Sequence, residues 1–151
     1  MAADMFTQMR SVFTLQRALV NERSIKGEKE LPPLLTSREV VEFATLQGAR
    51  VNGMEAKIGT LTPGKEADLV LLRTDLPNTL PFNSAYGAIV TAMDTSNIDT
   101  VMIAGKFVKR AGRLVGVDLA GIGRQAAASR DYLVGKLGWP RSVIDRPRSG
   151  H

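Results

Sequence analysis

Gly59 and the pair Gly64-Lys65 stand at the spacing Gly-x-x-x-x-Gly-Lys, in which backbone N–H groups cradle phosphates and a lysine reaches their outer oxygens. The neighbouring residues reject that chemistry. A phosphate loop needs Ser or Thr after the lysine to hold magnesium, and a helix must follow; Glu66 stands here instead, and Ala67 to Leu72 is a short apolar run that reads as a strand. Thr62-Pro63-Gly64-Lys65 is better read as a type II β-turn, with Pro63 fixing φ at the second position and Gly64 supplying the positive φ of the third. Lys65 and Glu66 are then expected to face water, and Ala67 to Leu72 to be covered on both faces.

Other groups capable of chemistry are few. The single histidine, His151, is the last residue, so no His-x-His pair, Ser-His dyad or histidine-ligated zinc can be built within one chain. The absence of cysteine removes disulfides, thiolate metal sites and thiol nucleophiles together. Asp4 precedes an amphipathic stretch and reads as a helix cap; as a metal carboxylate it lacks a second ligand nearby. Thr36-Ser-Arg-Glu39 is a capping box, which accounts for both Thr36 and Glu39 without catalysis. No catalytic, cofactor-binding or metal-binding residue is therefore expected in this chain.

A net charge of +5 raises the question of an anionic partner. The densest basic group is Lys106, Lys109, Arg110 and Arg113, and two tyrosines and one tryptophan offer little for base stacking. These residues read as a solvated face, with nucleic-acid binding the minor alternative. With 151 residues, 44% of them apolar, the chain can bury one respectable core. It has no apolar run of about 18 residues and no basic-then-apolar leader, so a cytoplasmic site is expected.

The elements follow from periodicity and punctuation. Asp4 to about Val20 has helical stepping of apolar residues, and Asn21 to Leu35, broken by Gly27 and Pro32-Pro33, reads as a loop. A second helix starts at the Thr36 cap, with Val40, Val41 and Ala44 on its buried stripe, and ends near Gly48 or Asn52-Gly53. Asp75 to Tyr86 reads as a loop, while Ala88 to Met93 fits either a short strand or a helical turn. Val101 to Ile103 and Lys106 to Lys109 form a hairpin about Ala104-Gly105, and Ala111-Gly112 turns the chain again toward Leu114 and Val115. Asp118 caps a last helix whose stripe Leu119, Ile122, Ala126, Ser129, Leu133 and Leu137 is expected to pack back on the fold, with Trp139-Pro140 ending it and a basic tail from Arg141 to His151.

Four of these stretches resemble one family. Ile58 to Leu72 is similar to the segment by which metal-dependent amidohydrolases leave their catalytic barrel for a small β-sandwich. Asp-Met-Phe-Thr-Gln-Met-Arg at Asp4 to Arg10 resembles the segment just after the last barrel strand in the cytosine-deaminase and triazine-chlorohydrolase branch, although Gln8 replaces an acidic residue there. Ala44 to Arg50 and the glycine turns around Val101 to Val115 extend the likeness across most of the span from Asp4 to Val115.

The resemblance implies an α+β fold: terminal helices of a (β/α)8 barrel over residues 1–53, a partial β-sandwich of short, mostly antiparallel strands over 54–117, and a C-terminal helix and tail over 118–151. It also implies a parent enzyme in which a divalent metal, zinc or iron, activates water against a carbon–nitrogen or carbon–halogen bond in a small molecule. The histidines that hold such a metal are absent from this sequence, so the chain reads as a C-terminal fragment or natural remnant, inactive alone. A stand-alone interaction or scaffold domain is the alternative, and a basic nucleic-acid module the second. Unpaired strands predict self-association into a homo-oligomer, or docking on a missing barrel portion or separate catalytic chain.

Overall fold

The computed structural model describes residues 4–138, and the chain divides into two compact units, one ending at Val115 and one beginning at Gly116. The fold is a mixture of helices and an antiparallel sheet, as the α+β reading expects.

In the first unit, α1 runs Met5–Ile25 from the Asp4 cap. It outlasts the expected end at Val20 because the following residues are polar but helix-compatible, with Lys26 and Glu22 joined at 2.6 Å. Gly27, at φ +83°, stops it. Only Phe6 and Met9 of its apolar stripe are buried, and Val12, Leu15 and Leu19 stay exposed. The loop after α1 is pinned to it: the Arg17 guanidinium donates to the Leu35 carbonyl at 2.7 Å, and Gln16 bonds both the Pro33 carbonyl and the Leu35 N–H.

The second helix is continuous but not uniform. α2 (Ser37–Glu42) opens on the complete Thr36/Glu39 capping box, a π-helical turn spans Phe43–Gln47, and α3 (Gly48–Val51) finishes it. The turn at Pro63-Gly64 forms as expected, with Gly64 at φ +92° and Lys65 N–H donating to the Thr62 carbonyl at 3.1 Å. Lys65 departs from expectation: it is half-buried and its ammonium returns to the carbonyls of Glu55 and Ile58.

The sheet has order β1-β2-β3-β4, all antiparallel: β1 (Leu69–Leu72), β2 (Ile98–Ile103), β3 (Lys106–Arg110) and β4 (Arg113–Leu114). β1 is shorter than expected and is not covered on both faces, since Val70 and Leu71 remain 55% and 56% exposed. It lies at the sheet's edge, where an apolar run no longer implies burial. Both tight turns adopt positive φ at two centres, Ala104 (47°) with Gly105 (77°) and Ala111 (48°) with Gly112 (75°). The Asp68 carboxylate accepts from the Ala104 N–H at 2.7 Å, which holds the first turn in this less favoured sequence.

Between β1 and β2 the chain forms a 3-10 turn (Pro77–Thr79), then α4 (Ala85–Thr91), then a second 3-10 turn (Thr95–Asn97). The ambiguous Ala88 to Met93 stretch is thus helical as far as Thr91, because Ser84 caps it by accepting from the Gly87 N–H. Core residues Phe6, Met9, Val40, Val90 and Met93 meet where α1, α2 and α4 converge, with Leu72 and Ile98 of the sheet packed against them. This core is small: among the described residues only six apolar side chains are buried.

In the second unit, α5 (Leu119–Leu137) starts at Asp118, whose carboxylate accepts from the Gly121 N–H, and stops at Gly138 in the left-handed region. None of the side chains of α5 is buried. The expected stop at Trp139-Pro140, the basic tail and His151 lie outside the described residues.

Candidate functional site

The residues singled out for possible chemistry are used in the backbone instead. Asp4 accepts from the Thr7 N–H at 2.9 Å and the Thr7 hydroxyl at 2.8 Å, and these bonds hold its carboxyl below the usual range, the backbone N–H contributing most. Glu39 accepts from the Thr36 N–H and hydroxyl, both at 2.7 Å, and is lowered in the same way. The Lys65 ammonium is drawn onto carbonyls, away from any phosphate cradle, and β1 follows it where a phosphate loop needs a helix. Gly59 serves packing: at φ +92° it lies against α3, and a Cβ there would sit 2.8 Å from that of Ala49.

Two polar groupings escaped sequence reasoning. Arg10 of α1 donates to the Met93 carbonyl at 2.7 Å and lies near Asp4 and Asp94, while its Nε is buried without a hydrogen-bond partner. Asn97 is fully buried; its Oδ1 accepts from the Asp94 N–H at 3.0 Å and from Asn78 at 2.9 Å, and its Nδ2 donates to the Arg73 carbonyl at 3.1 Å. The signal was present in Asp94-Thr-Ser-Asn97, a capping box in which the Asp94 carboxyl accepts from Ser96 and is lowered by it. Both groupings tie β2 and the α4 region to their neighbours. Neither presents a free nucleophile or base.

The basic group lies on β3 and β4, where Arg110 sits opposite Arg113 and its guanidinium stacks 4.8 Å from the Phe107 ring. Among the described residues, no three of His, Cys, Asp and Glu converge in a way that could hold a metal ion, and the donor set of the chain does not fit a zinc or iron centre. No described helix is long and apolar enough to cross a membrane.

Apolar concavities remain. One, about 320 Å³, lies between α1, α2 and β1 and is lined by Met5, Phe6, Met9, Val70, Leu72 and Ile89 among others. A smaller one, about 180 Å³, runs along the α1–α2 contact past Gln8, Val12 and Phe43. Gln8, standing where an acidic residue was expected, is exposed on its rim. Such predominantly apolar surfaces suit packing against protein better than catalysis.

Residues 1–108 match the model of the amidohydrolase family. The chain belongs to that family. Among curated amidohydrolase relatives it is 34% identical over 131 residues to the 5-methylthioadenosine/S-adenosylhomocysteine deaminase of Desulforudis audaxviator. It is 32% identical over 132 residues to the 5'-deoxyadenosine deaminase of Methanobrevibacter smithii. These alignments take in 87% and 86% of the chain but 28% of each relative, so the chain spans little more than a quarter of their length. An adenosine deaminase from Xanthomonas campestris, solved with bound zinc, superimposes with a TM-score of 0.75 at 28% identity, covering 87% of this chain and 28% of that one. The atrazine chlorohydrolase of Arthrobacter aurescens TC1, solved with zinc, shares the fold with a TM-score of 0.68 at 20% identity, over 82% of this chain and 25% of its own.

Proposed function

We propose that this chain is the C-terminal portion of a metal-dependent amidohydrolase that hydrolyses a carbon–nitrogen bond, or less directly a carbon–halogen bond, in a small molecule. The carrying observation is the lopsided coverage: relatives named as deaminases align with 87% of this chain and leave 72% of their own length unmatched. In this reading α1 and the α2–α3 helix are the last helices of a (β/α)8 barrel, and β1–β4 are part of a composite β-sandwich. The domains then run 1–53, 54–117 and 118–151, and the protein works in the cytoplasm.

Among the described residues no cluster forms a metal centre, and the sequence holds a single histidine, which supports the reading that the 151-residue chain is inactive alone. Its part in the whole enzyme is structural: α1 and α2 close the scaffold, while the Pro63-Gly64 turn hands the chain on to the sheet. The test is an ammonia-release assay on 5-methylthioadenosine, S-adenosylhomocysteine and 5'-deoxyadenosine, with chloride release from atrazine beside it. The chain alone should turn over none of them. The same residues joined to a barrel segment carrying the missing histidines should release ammonia from an adenosine-type substrate.

A second reading is favoured by the apolar groove beside β1: a stand-alone interaction domain derived from an amidohydrolase, pairing with a separate catalytic chain. Co-purification with a histidine-rich partner whose activity depends on this chain would select it over the first.

A further inference from the structure

Of the five asparagines in the chain, Asn52 alone is followed by glycine; Glu22, Thr79, Ser84 and Ile98 follow the other four. The pair sits at the end of α3, with Asn52 as its C-cap at φ −90° and ψ 2° and Gly53 in the left-handed region at φ +65°. Both residues are exposed, and a Cβ built on Gly53 would meet nothing within 4 Å. The Gly53 nitrogen is therefore unshielded, and its backbone has the freedom that only glycine allows.

Two hydrogen bonds keep the reactive groups occupied. The Asn52 Nδ2 donates to the Gly48 carbonyl at 2.8 Å, and the Gly53 N–H donates to the Arg50 carbonyl at 2.9 Å. Both acceptors belong to α3, whose last residue, Val51, is 87% exposed, so this turn can fray without opening the apolar core. Fraying ends of this kind open at little free-energy cost.

We propose that Asn52-Gly53 is a self-modification site, at which the chain rearranges its own backbone with water as the sole co-reactant. When the turn frays and ψ of Asn52 rotates away from 2°, the Gly53 nitrogen attacks the Asn52 Cγ. The N–Cγ bond forms and the Cγ–Nδ2 bond breaks; the Gly53 nitrogen gives up its proton, and Nδ2 takes one up and leaves as ammonia. Water then opens the five-membered imide at either carbonyl, leaving aspartate or, with the backbone routed through the side chain, isoaspartate. Neither product can donate to the Gly48 carbonyl, and both place a negative charge at the negative end of the helix. Isoaspartate also adds a methylene to the backbone before Met54, whose N–H bonds the Ala49 carbonyl at 2.9 Å beside the packing of Ala49 on Gly59. The site lies where the helices hand the chain on to the sheet, and it needs no metal, partner or second copy.

The 151-residue chain, incubated in mildly alkaline buffer both folded and unfolded in urea, tests this directly. Trypsin then releases the peptide Val51–Lys57, bounded by Arg50 and Lys57, for mass spectrometry. In the folded chain this peptide should gain one dalton and resolve into aspartyl and isoaspartyl forms, at a rate within roughly tenfold of that in urea. Mildly acidic buffer should slow the conversion, because the attacking nitrogen must lose its proton. The peptides holding Asn78 and Asn83 should stay unchanged over the same time. The aged wild type should melt below the fresh protein, whereas Asn52→Gln, which would need a six-membered ring, should melt alike before and after. A folded chain in which Val51–Lys57 stays unmodified, whatever happens in urea, or one in which Asn78 or Asn83 converts as fast as Asn52, would overturn the proposal.

Discussion

Asn97 is the residue on which the first unit depends most sharply. Its side chain satisfies the Arg73 carbonyl and the Asp94 N–H at once and is joined to Asn78. Removing it leaves these groups unpartnered in a fully buried position, and each loss costs about 1–3 kcal/mol. Asn97→Ala should therefore destabilise the fold by about 3 kcal/mol in urea titration, and Asn97→Asp by more, because a carboxylate would face the Arg73 carbonyl. The caps make a second, pH-dependent statement. Asp4, Glu39 and Asp94 are all held below their ordinary values, which are 3.8 for Asp and 4.5 for Glu. A carboxyl with a depressed folded pKa stabilises the fold above its unfolded value, and that contribution disappears as pH falls through the folded one. The melting temperature should accordingly drop as pH is lowered from about 5. Asp4→Asn keeps a capping side chain without a titrating group, so its acid-induced loss should be smaller than the wild type's.

At the scale of elements, what could be read from the sequence was what local chemistry decides. Pro63-Gly64 fixes its own turn, the Thr36 and Glu39 side chains each satisfy the other's backbone N–H, and Gly105 marks the two-residue hairpin that the Asp68 carboxylate then holds. Exposure was not legible, because a strand such as Leu69–Leu72 has the same composition at an edge as in the middle of a sheet. α4 was ambiguous because its seven residues are too few to show a period, and its Ser84 cap decided the outcome. For the candidate site, one terminal histidine and no cysteine set the expectation that no histidine- or thiolate-ligated metal centre is built within the chain, while the half-buried Arg10 and buried Asn97 groupings depend on contacts distant in sequence. Gly59 and Gly64 share φ +92°, but only Gly59 is crowded, by the Ala49 Cβ. Gly64→Ala should cost the backbone strain alone, about 1–2 kcal/mol, and Gly59→Ala clearly more, as read from paired urea midpoints. Equal losses would mean that the α3 contact contributes nothing.

For the whole molecule, the dominant fact is how little is buried. Among the described residues six buried apolar side chains make a small core, while 27 large apolar residues are exposed. Free-standing domains of this size usually bury about two-thirds of the surface that the unfolded chain exposes. Exposed apolar faces on α1, β1 and α5 are what a part of a larger assembly presents before it is covered. Membership of the amidohydrolase family, together with coverage of 28% of its relatives, accounts for both the helices and the sheet without requiring a site in this chain.

The proposed division of labour, with this chain as scaffold and the metal centre supplied elsewhere, is tested most directly by zinc. The purified 151-residue chain is equilibrated with micromolar zinc, desalted and analysed for metal, and the same sample is assayed for ammonia release from the adenosine-type substrates named above. Negligible retained zinc and no turnover are expected. Stoichiometric zinc that survives desalting, accompanied by turnover, would contradict the account, because it would require a metal centre built from residues that include no histidine other than His151.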